Sequence, residues 1–324
     1  MTERTNMHTD AVKKVSRKLP GFVVRRRGLV GFAIGIVALL LLSVAFFWPD
    51  AMEGNVLMQH DTQQGLAIGS EARAYADSTG VMPGWTNSLF SGMPTFQITP
   101  SYPSGKLIKA VETAYRLWLP EPAGLLFIMM LGFFILMLSM GVRWPLALTG
   151  AVAYGFSSYF VIIIGAGHIW KFVTLAYVPP TIAGMVLAYR GRYLAGGALA
   201  ALFAMFQIAG NHIQMSYYFL LAVIGFVVAY GIILWRQGQL LRWVKATAVL
   251  MVAAIAAIAA NSPSLYNTYE YSKETMRGRH SDLSSASSAG AVTSSGGLDK
   301  EYITAWSYGK DETFTLLIPN VKGG

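Results

Sequence analysis

The sequence predicts an all-α polytopic membrane protein, on three observations. The chain has 324 residues, of which 54% are hydrophobic and only 13% charged, where a soluble domain carries about 25% charge. Seven stretches reach or approach the roughly 20 apolar residues that a helix needs to cross a bilayer. Basic residues gather in every second loop between them.

The elements follow in order. Residues 1–27 form a basic cytoplasmic tail, and 28–48 the first transmembrane helix. A basic leader before an apolar run also describes a signal peptide, with Ser43-Val44-Ala45 as a cleavage site. The long leader and an apolar run reaching Trp48 favour an uncleaved helix. Residues 49–121 form an extracytoplasmic loop, 122–260 a six-helix transmembrane bundle, and 261–324 the start of a further extracytoplasmic segment. Within the bundle the spans are 122–142, 145–165, 172–189, 193–210, 213–235 and 244–260, and none of the seven spans contains Asp or Glu. Arg143-Trp144-Pro145 reads as a tight turn. Pro179 and Pro180 remove two backbone donors midway along the fourth span, so that helix is kinked by packing or broken to line a site.

Charge sets the orientation. With the N-terminus in the cytoplasm, the tail and the loops holding Arg143, Arg190, Arg192, Arg236, Arg242 and Lys245 carry +12, and the opposite side carries −3. The net +9 is thus a topology signal and not a nucleic-acid footprint. The absence of Cys excludes disulfides, thiol catalysis and Cys-ligated metals. No P-loop, GxSxG, HExxH, dinucleotide fingerprint or EF-hand pattern is present.

Inside the first outer loop, residues 104–119 have a helical period. Leu107, Ile108, Val111, Ala114, Tyr115, Trp118 and Leu119 form one stripe, and Lys106, Lys109, Glu112 and Arg116 the other face. The pattern predicts a helix lying in the membrane interface with Tyr115 and Trp118 at headgroup depth, or else one packed on the outer domain. An interfacial helix there would border the path of a lipid-linked substrate. Residues 281–297, rich in Ser, Ala and Gly, read as a mobile loop, either a linker or a lid. Two short outer loops each carry a Gly turn and a His, at His168 and His212, 44 residues apart.

The motifs Gln59-His-Asp61-Thr-Gln-Gln, Trp85-Thr-Asn-Ser-Leu-Phe-Ser-Gly-Met-Pro94, the Gly-His loop at 165–168, Asn211-His-Ile-Gln214, Thr268-Tyr-Glu270-Tyr and Trp306-Ser-Tyr-Gly309 are distinctive. So is Thr313-Phe-Thr-Leu-Leu-Ile-Pro-Asn320. Together they resemble the YfhO family of bacterial membrane proteins over about residue 30 to 324. The family is similar to the GT-C glycosyltransferases, which take sugar from a polyprenyl-phosphate carrier on the extracytoplasmic face of the inner membrane. Family members are longer, so the chain is expected to be an N-terminal portion.

The resemblance implies an acidic residue early in the first outer loop, where Asp61 stands. Inverting transfer needs a base for the acceptor hydroxyl, and a lipid-phosphate leaving group needs cations or donors. Asp61 is the candidate base, unless it only caps a helix beginning near Thr62. His168, Lys171 and His212 are candidates for the phosphate side, with Arg277 and Arg279 as alternatives. Trp85, Asn87 and Asn211 are candidates for contact with sugar or acceptor. Each has a plainer reading: carbonyl partners for the two His, an interfacial anchor for Lys171, core for Trp85, lipid headgroups for the two Arg. Glu71 and Asp77 read as surface charges. A divalent cation, Mg or Mn, is compatible because Mg²⁺ often binds through one or two carboxylates plus phosphate. The expected partners are the bilayer, a polyprenyl-phosphate-linked sugar and a glycan or glycolipid acceptor. The competing functions are a transporter or flippase of lipid-linked saccharides, disfavoured by spans without mid-depth ionisable groups, and a scaffold subunit.

Overall fold

The computed structural model describes residues 21–48, 53–275, 300–305, 307, 309–316 and 321. The chain divides into two compact units, Met1–Ser262 and Pro263–Gly324. In the first, α1 (Gly21–Phe46) precedes α2 (His60–Ile68), α3 (Ser70–Thr79), strands β1 (Trp85–Thr86) and β2 (Met93–Pro94), and α4 (Pro103–Tyr115). Then come α5 (Ala123–Ser139), α6 (Trp144–Gly155), α7 (Ser158–Ala166), α8 (Ile169–Ala176), α9 (Val178–Tyr189), α10 (Tyr193–Ala209), α11 (Ile213–Arg236) and α12 (Leu240–Ala260). The second unit opens with α13 (Ser262–Ser272) and includes α14 (Lys300–Thr304). There Lys273 Nζ meets Glu270 Oε1 at 2.7 Å. The basic tail 1–20 and the Ser/Ala/Gly segment 281–297 lie outside the described residues.

Among the described residues the only strands are β1 and β2, paired over two residues, and the regular structure is otherwise helical. Every one of the seven apolar stretches is helical, but their lengths differ. Among the described residues four helical stretches are long and apolar enough to cross a membrane: Gly28–Phe46, Ile169–Tyr189 (α8 and α9 together), Ile213–Arg236 and Leu240–Ala260. A fifth is counted if α6 and α7, bent by 46° to each other, are one span. The helices α5 and α10 are shorter, at 17 residues each, or about 26 Å by the rise of an α-helix.

Burial follows apolar composition. α5 is apolar on all sides and is buried on all sides over residues 123–132, with Leu125, Phe127, Ile128, Met129, Met130 and, beyond that run, Phe134 fully enclosed. α9 and α10 cross backbone to backbone: a Cβ on Gly184 would stand 2.5 Å from the Ala200 nitrogen, and one on Gly196 would stand 2.7 Å from the Gly184 oxygen. α11 has most of its apolar surface open, as a lipid-facing span does. Tyr218 and Trp235, both exposed, stand 17 residues apart on it, about 26 Å, the spacing of two aromatic belts.

Consecutive loops alternate between the two ends of the bundle. At one end, the Arg190 guanidinium donates to the Ser139 and Met140 carbonyls at 2.6 and 3.0 Å, capping α5. A Cβ on the adjacent Gly191 would lie 3.6 Å from Arg242 Nε. Three of the loops that hold the basic residues therefore share this end. His168 begins α8, at the far end of the span that Tyr189 closes.

Three expectations need correction. The third span is not one helix, because Ser157 takes extended backbone (φ −61°, ψ 141°) and resets the ladder between α6 and α7. The fourth begins at Ile169 rather than 172, and its interruption is the single residue Tyr177. Pro179 and Pro180 sit in the first turn of α9, where a missing N–H costs little.

The division of residues 104–119 into two faces is the third correction. α4 stops at Tyr115, because Leu117 and Trp118 take left-handed backbone (φ 56° and 54°). It has three faces instead of two. Lys106 and Lys109 are exposed, as are Leu107 and Trp118 at 69% and 72%. Ile108, Glu112, Tyr115 and Arg116 instead turn onto the bundle. The Tyr115 ring packs 5.1 Å from Phe203 and 6.1 Å from Tyr177, centroid to centroid. Glu112 Oε1 accepts the Tyr177 hydroxyl at 2.7 Å and Arg116 Nη2 at 2.6 Å. Tyr115 is thus packed among bundle aromatics, and Glu112 and Arg116 do not form a solvated face.

Candidate functional site

The site is assembled from two loops and two helix starts. Gln59, buried just before α2, donates from its side-chain amide to the Ile164 carbonyl at 2.6 Å and accepts the Thr62 hydroxyl at 3.0 Å. The loop after α7 comes close because residue 167 is glycine. Its φ is +86°, and a Cβ there would stand 2.9 Å from Thr62 Oγ1 and 3.0 Å from Thr62 N. The start of α2 therefore docks on the loop that presents His168.

Asp61 does not cap α2. Gln59 holds the cap position and Asp61 lies in the first turn, where the helix dipole favours a negative charge. Its Oδ2 stands 3.1 Å from His168 Nε2, with the two side chains 51% and 40% exposed. Lys171 follows His168 by three residues on α8, so the two share a helix face.

His212 arrives from the opposite side. A Cβ on Gly210 would stand 2.5 Å from Thr174 Oγ1 and 3.0 Å from Thr174 N, so the 210–212 loop presses onto α8. Asn211 takes left-handed backbone (φ 56°), which Asn tolerates, and thereby turns α10 into α11. His212 then caps α11, its Nδ1 accepting the Met215 N–H at 3.4 Å. With Nδ1 as acceptor, the ring proton of the neutral imidazole sits on Nε2. Partial burial, the Lys171 charge and, less strongly, His168 hold the His212 pKa below its ordinary value.

Asp61, His168, Lys171 and His212 are thus gathered at one end of the bundle, opposite the Arg190 end. Trp85 and Asn87 belong to a hairpin held on α3 by Glu71. That carboxylate accepts the Thr86 hydroxyl and the Asn87 N–H, which lower its pKa in that order of weight. Glu71 is therefore a structural acceptor and more than a surface charge. Trp85 is 56% exposed rather than core, with its indole over Gly92, where a Cβ would stand 2.5 Å from Nε1. Arg277 and Arg279 lie outside the described residues.

Two groups escaped the sequence reading. Gln59 is polar and buried in a loop, and only its place in the 59–64 motif hinted at a role. The Glu112–Arg116–Tyr177 cluster was hidden because Glu112 and Arg116, four residues apart, look like a solvated helical pair.

A carboxylate oxygen 3.1 Å from an imidazole nitrogen, near an ammonium and a second imidazole, can move a proton and hold an anion. Among the described residues no three His, Asp or Glu side chains are grouped to hold a metal ion. Compared with protein-family models, curated proteins and solved structures, the chain matches none.

Proposed function

We propose that the protein is a GT-C-type membrane glycosyltransferase of the YfhO kind, moving a sugar from a polyprenyl-phosphate carrier to a cell-envelope glycan or glycolipid. The observation that carries this reading is the meeting of Asp61 with His168 at 3.1 Å, beside Lys171 and His212. The carboxylate–imidazole pair supplies the base for the acceptor hydroxyl. Lys171 and the Nε2–H of His212 stabilise the charge that grows on the departing phosphate. Trp85 and Asn87 remain candidates for sugar contact.

The orientation is part of the proposal. Seven spans, with α5 and α10 as short ones, put the Arg190 end and the N-terminus in the cytoplasm of a bacterial inner membrane. The site then faces outward, where lipid-phosphate sugars are used. The test is transfer of labelled sugar in right-side-out membrane vesicles. Asp61→Asn and Lys171→Gln should each cut incorporation at least about tenfold with abundance and insertion unchanged. Undiminished incorporation by Asp61→Asn refutes the site.

One observation favours a transporter or flippase instead. Glu112 and Arg116 are ionisable groups turned onto the break in the fourth span at Tyr177, as coupled carriers place them. Movement of lipid-linked sugar between leaflets of proteoliposomes, without transfer, would decide for it.

A further inference from the structure

Within this glycosyl-transfer reading, we propose that His168 takes the acceptor proton through Nδ1 and that Asp61 is the residue that positions its ring. The pairing is specific as to atoms: the carboxylate oxygen Oδ2 faces Nε2, at 3.1 Å. A carboxylate accepts, so the neutral ring carries its proton on Nε2 and keeps its lone pair on Nδ1. No hydrogen bond to Nδ1 is made among the described residues.

The surroundings fit that division of labour. Asp61 is held from behind, in the first turn of a helix that Gln59 and Gly167 dock onto the His168 loop. A carboxylate carried on a docked helix turn, with one oxygen against the ring, is placed to orient it. The charged and titratable groups facing His168 are Asp61 from α2, Lys171 from its own helix and His212 from the 210–212 loop. The arrangement has the logic of a carboxylate–imidazole–hydroxyl relay.

The step balances. The acceptor O–H bond breaks and its proton moves to His168 Nδ1. The oxygen forms a bond to the sugar anomeric carbon. The bond from that carbon to the carrier phosphate oxygen breaks, and its electron pair stays on the phosphate beside Lys171 and His212. Asp61 stabilises the imidazolium and neither gains nor loses a proton.

Chemical rescue tests this. The full chain in right-side-out membrane vesicles is given polyprenyl-phosphate hexoses tritiated in the sugar, and transfer to envelope glycan is counted. His168→Gly should lose about 10² to 10⁴ of kcat, and imidazole in the medium should return at least about tenfold of it. His168→Ser serves as a second cavity variant should the glycine variant be poorly inserted. Asp61→Ala should keep KM, lose about 10 to 10² in kcat, and gain nothing from added formate. Retention of activity by both His168 variants, failure of imidazole to restore either, or restoration of Asp61→Ala by formate overturns the assignment while leaving glycosyl transfer standing. Absence of transfer by the unaltered protein overturns the assignment together with the reading it rests on.

Discussion

Replacing Tyr177 by Phe removes one oxygen from a fully enclosed ring and changes nothing else in shape. The lost bond is the hydroxyl's donation to Glu112 Oε1 at 2.7 Å. A hydrogen bond to a charged group contributes about 1.5–3 kcal/mol, and no cavity term is added. Glu112 keeps Arg116, so the expected loss is about 2 kcal/mol. Glu112→Gln strikes the same cluster from the other side. It leaves Arg116, 13% exposed, with only Glu121 at 3.0 Å, itself 55% exposed. Breaking a buried ion pair costs about 3–5 kcal/mol, and the outer Glu121 brings the expectation down to about 3. The two substitutions share a bond, so the double variant should fall short of their sum by about 1–2 kcal/mol. Unfolding in dodecylmaltoside micelles by added SDS, followed by tryptophan fluorescence, measures all three. A Tyr177→Phe effect below about 0.5 kcal/mol, strictly additive with Glu112→Gln, refutes the argument, because that is the range of an ordinary surface change.

Other expectations can be checked alongside. Gly167→Ala forces φ +86° on a side chain whose Cβ meets Thr62; it should cost about 1–3 kcal/mol and raise amide exchange in 59–64, and an unchanged exchange pattern would speak against the docking. His212 has its pKa lowered in the fold, so the unfolded chain binds more protons. Stability should be complete above the ordinary imidazole range, about 6.5, and fall as the pH drops through it toward the lowered value. His212→Gln should flatten that slope between pH 8 and 5.5. Glu71 is also lowered, so its contribution should persist above the usual carboxylate range and vanish as acid reaches its own value. Glu71→Gln should speed exchange at 85–94 at neutral pH, and an unaltered rate would remove it as the hairpin's anchor. Gly184→Leu should leave little folded protein in the membrane, whereas Gly225→Leu, with open space around it, should be tolerated.

Much of this architecture was legible in the chain because apolar runs and loop charges are local signals. Each of the seven stretches became helical, and the clustering of Arg190 and Arg242 with the Ser139–Met140 turn agrees with the grouping of basic loops. What a run of apolar residues does not encode is where its ladder breaks. Ser157 interrupts the third span through an extended backbone that depends on packing, whereas the fourth runs on through Tyr177 with helical backbone angles, and Pro179 and Pro180 sit at the start of its second half. α4 failed differently. Its helical period was visible, but a two-colour pattern assumes two environments, and this helix meets three. Of the site, His168, Lys171 and His212 stand out by residue type at span ends, and Asp61 by its place in the first outer loop that the resemblance marks. Their convergence depends on Gly167 and Gly210, whose missing side chains carry no chemical signature, and on Gln59, which reads as one polar loop residue among several.

The crossing of α9 over α10 bears on the order of assembly. These helices are joined by a three-residue turn, Arg190–Arg192, and meet through Gly184 and Gly196 with their backbones touching. Few residues separate the touching parts, so little loop entropy opposes their meeting. The pair is therefore expected to form as a hairpin soon after its synthesis, with α5, made earlier in the chain, closing around it afterwards. Pulse-labelling during synthesis would find 178–209 protected before 123–139, and the reverse sequence would show that the seed lies elsewhere.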